Sequence, residues 1–268
     1  GVYVLGLVNT TNVYAVNSSG QETLASASQI VYDEYSQYPL LTYSTVTGWQ
    51  DPGNVRGNPT TVRRWLNTDN SWIETHAQFD QLGNARKSWD ALGRMSETIY
   101  TDTFTDGNRN TFAFPTQTIS PVPDDNNTHG SNSAFVSSSV YDYYSGLVKT
   151  ATHINGQTTT IEYTDTLDRL TKVTNPTGGG WTSFEYGDTV GNLYVKTTTT
   201  FDQNRNLESY TFFDGLGRSV RSFAPKGGGV WIIGDTKYDA AGRVHRVSKP
   251  YQNPSLSADV NPADNWVT

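Results

Sequence analysis

The stretch Phe213-Asp214-Gly215-Leu216-Gly217-Arg218-Ser219-Val220 decides how this chain folds. Aromatic and β-branched residues on both sides supply strands. Asp214 can hold a reversal through its side-chain oxygen, and Gly217 takes the positive φ that a Cβ resists. Asp at the first turn position with Gly at the fourth marks a type I turn, which often closes a hairpin with a bulge. The unit recurs as Tyr238-Asp239-Ala240-Ala241-Gly242-Arg243, Trp89-Asp90-Ala91-Leu92-Gly93-Arg94 and Phe79-Asp80-Gln81-Leu82-Gly83-Asn84. The chain is a repeat protein whose repeat is a hairpin.

Weaker copies fill the intervals. Tyr141-Asp142-Tyr143-Tyr144-Ser145-Gly146 carries its glycine one position late. Tyr163-Thr164-Asp165-Thr166-Leu167-Asp168-Arg169 has Asp168 where glycine would stand, and aspartate tolerates the left-handed region better than most residues. Tyr186-Gly187-Asp188-Thr189-Val190-Gly191 has one residue inserted, and Phe201-Asp202-Gln203-Asn204-Arg205 lacks the glycine. Ile30-Val31-Tyr32-Asp33 begins a copy with no glycine at the expected place. Between copies lie Asn175-Pro176-Thr177-Gly178-Gly179-Gly180 and Pro225-Lys226-Gly227-Gly228-Gly229, so the period reads strand, aspartate turn, strand, Pro-Gly turn. Further extended segments are expected at Val2-Tyr3-Val4-Leu5, Thr11 to Val16 and Thr60 to Leu66.

With 268 residues, 12 % aromatic, 16 Tyr and 7 Trp against one Met, the composition suits β structure packed by aromatic rings. The expected fold is all-β: antiparallel hairpin repeats forming a curved or spiralling ribbon, one unit over residues 1–268. A long irregular loop is expected at about 115–133 and a polar tail from about 253. A net charge of −7 with scattered Lys and Arg argues against nucleic acid. Cysteine is absent, which excludes disulfides, thiolate nucleophiles and cysteine-held zinc. The longest apolar run, Val2 to Val8, is too short to span a bilayer as a helix and lacks the charged start of a signal peptide, so no membrane insertion is expected. A chain opening on Gly1 reads as a piece of something longer.

These residues resemble the YD-repeat, or Rhs-type, family, whose signature is Tyr-Asp-x-x-Gly-Arg with a Pro-Gly turn about half a period away. Phe213 to Arg218, Tyr238 to Arg243 and Trp89 to Arg94 carry the likeness, and weaker copies extend it over most of 30–250. The resemblance implies long antiparallel strands coiling into a hollow shell or barrel. It also implies roles as toxin-enclosing cocoons, cell-surface proteins or adhesion receptors. A family shell uses more repeats than this chain holds, so the chain is expected to be an arc of one. Toxin-bearing members have a self-cleaving aspartate near Asp-Pro-x-Gly at the shell's end. Asp51-Pro52-Gly53 is only superficially similar and lies at the other end, so that activity is not carried over.

No constellation for catalysis stands out. His76, His129, His153 and His245 fit no triad or metal-ligand spacing, and the triple glycines precede no phosphate-loop lysine. The aspartates recur in every unit and read as turn caps, since a catalytic site would be unique. Asp102 to Asn110 and Asp124-Asp125-Asn126-Asn127 only faintly resemble calcium loops, and a solvated loop is the better reading of the second. Trp49, Trp65, Trp72, Trp181 and Trp231 could form a sugar-binding platform, whereas Trp89 replaces the repeat aromatic.

The expectation is a non-enzymatic structural protein without cofactor, part of a bacterial extracellular or cell-surface shell, fibre or scaffold. Its partners would be further repeats or another copy, joined by strand pairing. The alternatives are a carbohydrate-binding or adhesion module with a glycan partner, and a fragment of a toxin-encapsulating shell.

Overall fold

The computed structural model describes residues 6–202, 205–254, 256 and 265–267. The strand expected over Val2 to Leu5 and the turn residues Gln203 and Asn204 lie outside that set, as does most of the tail beyond 254. Every regular element among the described residues is a β-strand, and the paired strands are antiparallel. The chain divides into two compact units, Gly1–Gly156 and Gln157–Thr268. The same repeat grammar runs through both, so composition marks no boundary between them.

The first unit is a meander of β1 (Thr10–Val16), β2 (Glu22–Tyr32), β3 (Pro59–Leu66), β4 (Ser71–Phe79), β5 (Ala85–Trp89), β6 (Met95–Ile99), β7 (Gln117–Ile119), β8 (Val136–Tyr141) and β9 (Val148–Thr152). Each strand from β1 to β8 pairs with the next. Residues 33–58 and 100–116 leave the sheet as excursions whose rings build a core. Tyr43 stacks on Phe112 with centroids 3.7 Å apart, and Phe114 stacks on Tyr141 at 4.9 Å. Phe79, Phe104, Phe112 and Tyr141 are buried.

One expected loop is shorter than the sequence suggests. Gln117-Thr118-Ile119, inside the 115–133 interval, forms β7, bonded to Glu97–Ile99 on one side and Val136–Ser138 on the other. Three residues carry too little local pattern to read as a strand, and pairing on both edges makes them one. The irregular stretch is therefore 120–135, where the Asp124 carboxylate accepts the N–H groups of Asn126 and Gly130 at 3.1 and 3.0 Å.

The second unit holds β10 (Thr158–Glu162), β11 (Lys172–Thr174), β12 (Trp181–Thr189), β13 (Asn192–Asp202), β14 (Arg205–Phe213), β15 (Ser219–Gly227), β16 (Val230–Tyr238), β17 (Val244–Ser248), β18 (Tyr251–Asn253) and β19 (Trp266–Val267). Neighbours pair in order as far as β16, which then forks. Trp231–Ile233 bonds to β18, Thr236–Tyr238 bonds to β17, and β17 bonds to β19. Trp266 and Val267 thus belong to a strand within the expected polar tail. β15 also runs further than expected, through Pro225 to Gly227. The turn is Gly228-Gly229, both at positive φ (61° and 77°), as a type I′ hairpin requires.

One face of the second unit carries an aromatic ladder. Tyr194 faces Phe212 and Tyr210 faces Phe223 across the strands, with Trp231 edge-on to Tyr210. Ring centroids lie 5.5–5.7 Å apart from Tyr194 to Phe212, Phe212 to Phe223 and Tyr210 to Trp231, close enough for each contact to contribute about 0.5–1.5 kcal/mol beyond burial. The ladder ends where the Tyr194 ring lies over Gly187, its cross-strand partner.

A Cβ built on Gly187 would stand 2.1 Å from the Tyr194 ring, whereas one on Gly217 meets nothing within 4 Å and only strains its φ of +75°. Gly187→Ala is therefore expected to cost about 2–3 kcal/mol by overpacking, and Gly217→Ala about 1 kcal/mol by backbone strain. Urea unfolding of the two variants tests this, and the reverse order would disprove the packing account.

Candidate functional site

A meander reverses at alternate ends of its sheet, so the strand order fixes which turns share an end. In the first unit the reversals after β2, β4, β6 and β8 share one end. They are the 33–58 excursion, the Asp80 corner, the 100–116 excursion and the Asp142 corner. In the second unit the reversals after β10, β12, β14 and β16 do the same, and they include the Asp165, Asp214 and Asp239 corners. The Asp90 corner lies at the opposite end of its sheet. The candidate site is this row of corners, repeated along one end of each sheet.

The corner is built around a single carboxylate. In the Asp214 copy, Oδ1 accepts the N–H groups of Leu216 and Arg218, each at 3.0 Å. Oδ2 receives Arg218 Nε and Nη2 at 2.7 and 2.6 Å. The Asp214 N–H donates to the Arg218 carbonyl, the Gly217 N–H donates to the Asp214 carbonyl, and Gly217 has its positive φ. Asp90 with Gly93 and Arg94, and Asp239 with Gly242 and Arg243, repeat these bonds. Asp80 with Gly83 keeps the two backbone bonds, but Asn84 Nδ2 replaces the guanidinium and the Tyr43 hydroxyl donates to Oδ2 at 2.7 Å.

The degenerate copies show which parts can be exchanged. Asp168 stands at φ 55° in the glycine position of the Asp165 corner. Asp142 holds a corner one residue longer, with the Ser145 N–H and hydroxyl donating to Oδ1 and Gly146 at φ 68°. Tyr163 precedes the Asp165 corner by two positions, not one. Phe201 and Asp202 end β13, where Arg205 lies over the Phe201 ring at 4.9 Å and pairs with Asp202. Tyr186 is the departure: it sits inside β12, whose reversal is Val190-Gly191, and Asp188 holds no turn but pairs with Arg169 at 2.6 Å. Phe79, Trp89, Tyr141, Phe213 and Tyr238 each end the strand before a corner.

Five reversals at the shared ends are followed by a β-bulge, which sharpens local twist. The extra residues at these register shifts are Thr60, Arg86, Lys149, Val220 and His245. Thr60 and Arg86 are buried.

Two further aspartates do the same work at long range, and the sequence did not single them out as caps. The Asp33 carboxylate accepts the N–H groups of Arg56, Gly57 and Asn58 at 2.8–2.9 Å and the Tyr35 hydroxyl at 2.7 Å. Burial pushes its pKa up, but the Gly57, Tyr35, Arg56 and Asn58 bonds outweigh that and leave it lowered. Buried Asp102 gathers the N–H groups of Arg109, Thr111 and Phe112. Asp102 is thereby committed to folding its excursion, and Asp106 pairs with Arg109.

The tryptophans do not form one platform. Trp65 and Trp72 face each other across β3 and β4, and Trp49 lies in the 33–58 excursion. Trp181 sits beneath Lys172 Nζ at 5.7 Å, and Trp231 belongs to the ladder, four strands further on in β16. The histidines are scattered over β4, the 120–135 loop, the reversal after β9, and β17. No cluster of three or more His, Asp or Glu able to hold a metal occurs among the described residues. A cavity of about 660 Å³ opens near the fork of β16, lined by Phe212, Arg221, Asp235, Lys237, Tyr238 and Trp266 among others. Its charges are satisfied internally: Arg221 pairs with Asp235, and Lys237 lies 4.7 Å over the Trp266 ring. Burial and the Asp235 carboxylate push the Tyr251 hydroxyl up to about 12.

Two crystal structures share this architecture, those of TcdB2-TccC3-Cdc42 and of TcdB2-TccC3 without its hypervariable C-terminal region. The fold is that of part of TcdB2-TccC3. TM-scores are 0.53 and 0.52 at 13 % identity over 91 % of this chain, which spans about 14 % of the length of those chains. Identity this low carries the fold alone. No family model and no curated protein matches the sequence.

Two measurements check the corner chemistry. Asp80 is fully buried, so Asp80→Ala strands its amides and the Tyr43 hydroxyl and is expected to destabilise the first unit by about 3 kcal/mol. Asp90→Ala, at a more open corner, should cost clearly less, and equal losses in chemical denaturation would contradict this. The bond from Arg169 first, then those from Leu167 and the Arg169 backbone, hold Asp165 at a pKa of about 2 against the opposing effect of desolvation. A lowered folded-state pKa stabilises above the unfolded value near ~4 and stops doing so as pH falls through the folded value. The Asp165 contribution should thus fade between about pH 4 and about pH 2. Carboxyl ¹³C titration should give a midpoint near the lower figure, moving upward in Arg169→Gln; an ordinary midpoint in the native chain would refute the assignment.

Proposed function

We propose that this chain is a non-enzymatic structural segment of a YD-repeat (Rhs-type) shell, one arc of a wall completed by further repeats. The observation that carries the reading is where the stabilising contacts lie. Carboxylate-held corners recur along one end of each sheet. Yet among the described apolar residues only Ala27, Phe79, Phe104, Phe112, Tyr141, Phe223 and Ile233 are buried. Val13, Tyr14 and Val16 of β1, Leu207 of β14 and Val244 and Val247 of β17 are exposed. Sheets with so little interior gain from neighbouring repeats that cover their faces and pair with their edges.

The fold shared with part of TcdB2-TccC3 supports the same reading, because those neighbours are toxin-complex chains of multi-chain assemblies. That favours a toxin-enclosing shell over a fibre or adhesive scaffold. On this proposal the chain works outside the cytoplasm of a bacterium, and its partners are other repeats of the parent protein. The corner aspartates serve packing and not catalysis.

Cryo-electron microscopy of the parent protein as its host produces it provides the test. The expected particle is hollow, with these strands forming a fraction of a continuous wall. A solid particle no larger than this chain would refute the shell.

A further inference from the structure

Asn9, Asn17 and Asn126 each stand two positions before a serine or threonine with no proline between, the pattern that accepts an N-linked glycan on an exposed loop. Their surroundings differ. The Asn9 side-chain amide donates to the Ile30 carbonyl at 3.1 Å, and its oxygen accepts the Thr10 hydroxyl. Asn17 donates to Gln21 Oε1 at 3.1 Å, while its oxygen accepts the N–H groups of Ser19 and Gln21. Both amides are committed to local structure. The Asn126 side-chain amide has no partner among the described residues, and Asn126, Asn127 and Thr128 are all exposed.

The backbone presents Asn126 on a turn. The Asn127 N–H donates to the Asp124 carbonyl at 3.0 Å, which places Asp125 and Asn126 at the two central positions. Asn127 follows at a φ of 52°. The Asp124 carboxylate closes the loop by accepting the N–H groups of Asn126 and Gly130. Every residue from 125 to 133 is exposed, so an enzyme can draw the loop out without opening the core. Bacterial transferases for this modification also require an acidic residue two positions before the asparagine. Asp124 stands there for Asn126, whereas Leu7 and Ala15 stand there for Asn9 and Asn17. Asn126 alone meets the longer pattern.

We propose that Asn126 is the acceptor for an N-linked glycan. The co-reactant is an oligosaccharide joined through pyrophosphate to a polyprenyl lipid, delivered by a membrane-bound oligosaccharyltransferase. The Asn126 amide nitrogen forms a bond to the anomeric carbon as the bond from that carbon to the pyrophosphate oxygen breaks. The lipid pyrophosphate leaves with the electron pair, and the amide gives up one proton to a base of the transferase. The reversal after β7 lies at the end of the first unit's sheet opposite the Asp80 and Asp142 corners. A glycan there leaves that row of corners free to pack. The modification requires that the chain leave the cytoplasm, as the shell reading holds, whereas the acceptor chemistry belongs to the loop alone. A shell without the glycan would be seen as a hollow particle of unmodified mass, so the two readings fail separately.

Intact-mass spectrometry of the protein from the cells that make it is expected to show one added oligosaccharide, with peptide sequencing placing it on Asn126. The purified chain, incubated with a bacterial oligosaccharyltransferase and its lipid-linked donor, should gain the same single addition. Asn126→Gln and Thr128→Val should each abolish that gain. Asp124→Asn, which keeps a side-chain oxygen for the turn, should lose most of it, and Asp125→Ala should retain it. All four positions lie outside the core, and unchanged melting of the variants separates lost acceptor chemistry from lost folding. An unmodified Asn126 in either preparation would overturn the proposal, as would equal addition at Asn9 or Asn17.

Discussion

A chain that reverses direction leaves amide N–H groups without strand partners, and here one aspartate carboxylate collects them at each corner. Oδ1 takes the N–H groups two and four residues on at 2.9–3.0 Å in the Asp80, Asp90, Asp214 and Asp239 copies. Bonds to an ionised acceptor are stronger than neutral ones, so a single side chain fixes five residues of backbone. The strands inherit their registers from these fixed ends, and bulges follow the Asp80, Asp142, Asp214 and Asp239 corners.

The remaining positions of the repeat have graded roles. Glycine is a steric convenience that Asp168 can replace, because the left-handed conformation is strained for a side chain but not forbidden. Arginine neutralises the corner carboxylate through Nε and Nη2, and at Arg169 and Arg218 the guanidinium also lies over a tyrosine of a neighbouring strand. Tyr186 and Tyr238 thus couple one hairpin to the preceding one, through the ring and the hydroxyl together. Where asparagine stands in for arginine, at Asn84, the second carboxylate oxygen is served by Tyr43 from an excursion instead.

Such a design keeps its shape without a thick interior. The aromatic ladder from Tyr194 to Trp231 and the rings of the first unit's excursions are the main apolar assemblies, and both lie on sheet surfaces. A repeat held at its corners can be followed by another built the same way, since each unit contacts chiefly the next.

The sequence by itself determined the strand-and-corner alternation and the residues that hold each corner, because Asp, Gly and Arg act within five positions of one another. The left-handed Asp168 was legible for the same reason. It did not determine where Asp33 and Asp102 send their carboxylates, that residues 117–119 become a strand, or that Tyr186 and Asp188 stand inside one. Those outcomes depend on partners tens of residues away, whose pairing no local spacing encodes. Only the tertiary structure decided which tyrosine lies under which arginine, because that contact is set by the register of two strands and not by the order of residues in either.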